Sequence, residues 1–142
     1  MQTPVKTVRS SKSALWTGRV ISGLVVLFLL FDGVTKVMKV AAVLRASAQL
    51  GFSAEQIVEI GTVLLVCTIL YVIPRTSVLG GILLTGYLGG ATVTNLRAGN
   101  PLLQVLFPVI FGVLVWGGLF LRDEALRALI PLRSNTSQRP TE

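Results

Sequence analysis

The sequence predicts an all-α protein, a four-helix transmembrane bundle with both termini in the cytoplasm. Three observations predict it: the apolar weight of the chain, the spacing of its charges and the placement of its basic residues. Of 142 residues, 52% are hydrophobic and 13% are charged, where a soluble domain carries about 25% charged residues. One small soluble core could not bury so much apolar surface. Charges and polar turns break the chain at intervals that suit spanning helices, each of which needs about 20 residues. The spans fall at 16–37, 55–73, 77–96 and 102–121.

Residues 1–15 read as a flexible basic segment, with Lys6, Arg9 and Lys12. Span one then runs from Trp16 to Val37. It resembles a signal peptide only in its basic leader, because its apolar stretch is too long and ends in charges with no small-residue cleavage pattern. Span two follows "FSAEQ", where Ser53 and Gln56 have capping-box spacing, and it stops at Pro74. No charge occurs in span three between Arg75 and Arg97, nor in span four between Arg97 and Arg122. Pro101 precedes span four, and Pro108 inside it frees one carbonyl and bends the helix. The membrane domain thus covers 16–130. The polar residues 131–142 read as a disordered tail, and its "NTS" at Asn135 lies on the cytoplasmic side, where it would not be glycosylated.

Basic residues set the orientation. Nine of the thirteen lie at the termini or in the loop of Arg75. The other four are Lys36, Lys39, Arg45 and Arg97. The richer side faces the cytoplasm, which makes this a multi-pass protein of the cell membrane.

The net charge of +7 sits at span ends and not in an aromatic-basic patch, so no nucleic acid is expected. The chain has no histidine and one cysteine, Cys67. Imidazole-ligated haem or zinc, an internal disulfide and Ser-His or Cys-His chemistry all fall away within the chain. No metal ligand set, catalytic residue or particular cofactor is assigned.

Polar groups collect at the non-cytoplasmic ends of the spans. Asp32 and Lys36 are four residues apart and share a helix face. Glu59 is hard to keep outside the membrane if span two is full length, and Asn95 and Arg97 close span three. Asp32, Lys36, Glu59, Asn95 and Arg97 therefore form a candidate ligand site or charge network. Asp32 and Glu59 are expected to face the bundle interior, with Lys36 or Arg97 in salt-bridge reach, because an unpartnered charge there is costly. The structural alternative is a plain helix end, with Lys36 snorkelling to headgroups.

Span three is rich in glycine. Gly86, Gly89 and Gly90 clear a strip for close helix packing, Gly80 and Gly81 extend it toward the inner end, and Gly23, Gly33, Gly61, Gly112, Gly117 and Gly118 offer thin places on the other spans. Tyr71 and Tyr87 suit interface anchors, with Tyr87 and Arg97 as candidate quinone contacts. Trp16 fits the inner aromatic belt, and Cys67 a small buried packing position.

These blocks together resemble the DoxX-like family of small membrane proteins. The resemblance runs through "RVISGLVVLFLLFDGVTKVMK", "EIGTVLLVCTILYVIPRTSVLGGILLTGYLGGATVTNLRAG" and "LFPVIFGVLVWGGLFLRDEALRAL", over residues 19–129. Asp32, Gly33 and Lys36 match the family's end to span one, Glu59 and Gly61 its start to span two, and Asn95 with Arg97 the polar end of span three. The resemblance implies a four-helix membrane bundle. It also implies a link to redox complexes, since the family takes its name from a subunit of a thiosulfate:quinone oxidoreductase.

Three functions are consistent with this reading. The first is an accessory or structural subunit of a membrane complex, without its own catalytic machinery, partnered by the lipid bilayer and by another copy or another membrane protein. The second is a quinone-linked subunit of an oxidoreductase. The third is an oligomeric carrier of a small solute, ion or proton.

Overall fold

The computed structural model describes residues 11–129. The expectations for 1–10 and for the tail beyond 129 lie outside the described residues. Six helices follow in order: α1 Lys12–Val37, α2 Ala41–Gln49, α3 Ala54–Val72, α4 Ser77–Arg97, α5 Leu102–Arg122 and α6 Glu124–Leu129. Four of them, α1, α3, α4 and α5, are long and apolar enough to cross a membrane. They correspond to the four expected spans. Because four is even, the first and last described residues lie at the same end of the bundle.

Helix α1 begins earlier than expected. The Ser11 side chain caps it by accepting from the Ala14 N–H, so Lys12 to Leu15 are helical and not part of a flexible leader. The capping box of α3 forms as its spacing predicts, with Ser53 and Gln56 exchanging side-chain and backbone bonds at 2.9 and 3.2 Å. The two short helices α2 and α6 are unforeseen, since neither carries the apolar length that marks a span.

The long helices form a ring in which α1 packs on α3, α3 on α4, α4 on α5, and α5 closes back on α1. The axis is filled by Val25, Leu29, Leu64, Leu84, Val115 and Leu119. The large apolar residues left outside, such as Leu24, Leu27, Phe31 and Ile82, are exposed. That distribution is inside-out for water and right for lipid, where backbone groups must be satisfied within each helix.

Glycine sets the closest crossings, though on α4 it does so at Gly80 and not at Gly86, Gly89 or Gly90. A Cβ on Gly61 would stand 3.0 Å from the Gly33 carbonyl, so α1 and α3 meet at these two residues. A Cβ on Gly118 would meet Ser22 and, at 3.4 Å, the Gly18 carbonyl, which joins α5 to α1. Gly80 sits against the Tyr71 backbone across the α3–α4 turn. By contrast, nothing within the described residues lies within 4 Å of a Cβ built on Gly86, Gly89 or Gly90. The expected packing strip is therefore not used between helices of this chain. The ring leaves that face of α4 uncovered.

At the end bearing the described termini, side chains reach across the ring. Tyr71 of α3 is fully buried, and its hydroxyl donates to the Val115 carbonyl of α5 at 2.8 Å. Ser22 of α1 stands 3.2 Å from the same hydroxyl. Arg122 of α5 donates to the Tyr71 carbonyl at 2.9 Å and lies 4.8 Å from the centre of the Tyr71 ring. Tyr71 is thus a core residue and not the interface anchor that a lone membrane tyrosine suggests. Trp116 donates to the Thr85 hydroxyl at 2.8 Å and ties α5 to α4.

Candidate functional site

The opposite end of the ring is built differently. Three turns connect elements there, and each has a residue with positive φ: Lys39 at 55°, Gly51 at 87° and Gly99 at 70°. Glycine accepts that backbone freely, while a side chain at Lys39 carries strain. The first two of these turns place α2 against the ends of α1 and α3, with no packing on α4. Two cavities remain beneath and beside it.

The first cavity has a volume of about 420 Å³. Its floor is α4, where Gly86 and Gly90 supply the room that side chains would fill. Ser47 and Phe52 border it from α2 and the following turn, and Ile57 and Ile60 from α3. The lining is mainly apolar, with Lys36, Ser47, Tyr87, Thr94 and Asn95 as its polar members. The second cavity, about 550 Å³, lies between α2, the end of α4 and the start of α5. The two share Leu50 and Asn95 as a common wall.

Asp32 and Lys36 form an ion pair one helical turn apart on α1. Their side chains are 33% and 15% exposed, with lysine the more buried of the two. The lysine stem is pressed onto α3, because a Cβ on Gly61 would run into the Lys36 Cβ. Close approach of α1 and α3 thus holds the ammonium at the rim of the first cavity with its charge already matched.

Glu59 does not join this pair. It is exposed, and no ion pair reaches it among the described residues. The reason is helical phase. The inward residues of α3 are Ile57, Gly61, Leu64, Cys67, Thr68 and Tyr71, which recur every three or four residues along one face. Glu59 lies two residues from Ile57 and so points away. Arg97 is displaced in the same way. It follows Asn95 by two residues, is exposed, and ends α4, where a cation suits the helix C-terminus. Of the five expected members, Asp32, Lys36 and Asn95 are half-buried and Glu59 and Arg97 are not. Lys36 and Asn95 border the same cavity.

Asn95 donates to the Ala91 carbonyl and accepts from the Asn100 side chain at 2.8 Å. Tyr87 is half-buried and lies within electrostatic range of Asp32. Arg97 is not among the residues bordering either cavity. The residues that sequence reasoning missed are those of α2 and its flanks: Ser47, Gln49, Leu50 and Phe52. The available signal was composition. "AAVLRASAQ" is rich in good helix formers.

The DoxX-like family model matches residues 20–118, from the first turns of α1 almost to the end of α5. The chain belongs to the DoxX-like family. This DoxX-like protein is a multi-pass integral membrane protein, with its four apolar helices inside the matched region or overlapping it. No curated protein and no solved structure matches the chain. Among the described residues there is no group of three or more metal-ligating His, Cys, Asp or Glu side chains.

Proposed function

We propose that this DoxX-like protein is an accessory subunit of a membrane complex, seated against a neighbouring transmembrane helix along α4. The observation that carries the reading is the bare strip of Gly86, Gly89 and Gly90, with open space over each. Small residues let membrane helices approach closely and pack by dispersion, which is how helices associate when lipid removes the hydrophobic drive. Within the chain that approach is made elsewhere, so the strip is free for a partner or a second copy. The termini face the cytoplasm in this reading, supported by the nine-to-four split of basic residues.

Gentle extraction of the full chain from its native membrane tests the proposal. The protein should emerge with a partner or as an oligomer, and Gly89→Leu should release it without unfolding it. Gly89 is the choice because it does not border the first cavity. A lone wild-type chain after mild extraction would defeat the reading. Reporter fusions at the two termini test the orientation, and an extracytoplasmic signal from either would reverse it.

The first cavity favours a second reading, a quinone-linked subunit. It is apolar, has a volume in the range of ligand pockets, and offers Lys36 and Tyr87 as hydrogen-bond donors to a carbonyl. Quinone should then co-purify and be lost on Gly86→Leu, which fills the floor. A carrier would need its path between chains, since apolar side chains fill the axis of the ring.

A further inference from the structure

We propose that the second cavity binds the neutral, hydroxyl-bearing headgroup of a membrane lipid, a sugar lipid being the chemistry it fits best. The second cavity lies away from the bare face of α4 and shares only Leu50 and Asn95 with the first cavity.

The lining carries four side-chain amides from four places in the chain. Gln49 ends α2, Asn95 lies in the last turn of α4, Asn100 in the following turn, and Gln104 near the start of α5. Among the described residues, no charged residue borders the cavity. Asn95 and Asn100 bond each other, which fixes two of the four. Among the described residues, no bond engages the side chains of Gln49 or Gln104, or the Oδ1 of Asn100. Each glutamine amide offers two N–H donors and an acceptor.

An uncharged set of mixed donors and acceptors complements hydroxyl groups, which also donate and accept. It offers nothing to neutralise a phosphate or a carboxylate. The nearest base on the neighbouring cavity, Lys36, is already paired with Asp32.

Depth points to a lipid over a free solute. Asn95 and Gln104 stand at the ends of two membrane-length helices, with Asn100 in the turn between them, at the level of the headgroups. The apolar part of the lining, Leu103, Phe107 and Pro108, continues down α5. Pro108 is six residues into that helix from Leu102, about 9 Å along it. A head at the mouth and the glycerol and first methylenes against Phe107 would use both parts. The cavity of about 550 Å³ lies within the usual range for small-molecule sites.

The full chain should be placed in nanodiscs containing phosphatidylcholine with small equal shares of monoglucosyl diacylglycerol, diacylglycerol of the same chains and phosphatidylglycerol. Lipid retained after detergent release is then read by native mass spectrometry. The expected result is one glucolipid per chain, retained at least tenfold over the other two. The double variant Gln49→Leu, Gln104→Leu should lose that preference while keeping its melting temperature. Gln104→Glu alone should weaken it several-fold and keep the shape of the site. Equal retention of glucolipid and diacylglycerol overturns the proposal, as does preference for phosphatidylglycerol or an unchanged preference in the double variant. Methyl glucoside added in solution should compete poorly. If it binds as tightly as the lipid, the lipid assignment is wrong.

Discussion

The two ends of the bundle solve opposite problems with the same kinds of residue. At the end bearing the termini, glycine draws helices together, as at Gly18, Gly80 and Gly118, and polar side chains span the ring from α3 to α5. At the far end Gly33 and Gly61 still join α1 to α3, but on α4 glycine holds space open, as at Gly86 and Gly90, and polar side chains line cavities. Tyr71 is fully buried and bonded on both its hydroxyl and its carbonyl, whereas Tyr87 is half-buried beside a cavity. The closed end gives rigidity and the open end gives room. A glycine or a tyrosine in a membrane helix therefore has no fixed meaning until its neighbour is known.

Glycine substitutions should separate the ends most sharply. A Cβ at Gly80 would meet the Tyr71 backbone, which cannot swing aside. Gly80→Ala should cost about 3 kcal/mol or prevent folding, at the upper end of what overpacking costs. Gly89→Ala meets open space and should leave the thermal unfolding temperature of the isolated chain within a degree or two. Equal losses at both positions would erase the distinction drawn here.

Hydrogen bonding offers the next contrast. Tyr71→Phe removes the bond to the Val115 carbonyl and the contact with Ser22, and should lower stability by about 1 kcal/mol. Tyr87→Phe should cost less, because no bond from that hydroxyl to protein occurs among the described residues. Denaturant titration in detergent would rank the two. Asp32→Ala should cost up to about 1 kcal/mol, the scale of a partly exposed ion pair, since it leaves Lys36 unmatched at the cavity rim. The smallest effects belong to Glu59→Ala and Arg97→Ala. Both residues are exposed, and each change should stay within about 0.5 kcal/mol. A large loss at either would return that residue to a charge network.

The four spans were legible because length, apolarity and charge spacing are properties of a segment by itself. The Asp32–Lys36 pair and the Ser53–Gln56 box were legible for the same reason, being contacts within one helix. The meeting of Gly33 with Gly61 was foreseen only as two thin places. What failed was facing. A membrane helix is apolar all round, so no polar stripe marks which side looks inward. Charge spacing gives the depth of Glu59 and Arg97, and depth says nothing of phase. The Tyr71–Arg122 tie was hidden for a related reason, since nothing in α3 or α5 alone names a partner across the ring. Helix α2 carries no such mark, because its nine residues fall below the length of a span.

The closure of the ring between α1 and α5 has a consequence in time. A ribosome delivers α1 first and α5 last among the long helices, so the first-made helix must wait, laterally unsatisfied, until the last is inserted. Ser22 on α1 and Tyr71 on α3 are both in the membrane before Val115 and Arg122 exist. Biogenesis of this chain is therefore a race between its own completion and any protein that can occupy the vacant side of α1. A chain stalled or cut before α5 would expose Gly18 and Ser22 to that competition, and would make a natural substrate for membrane quality control.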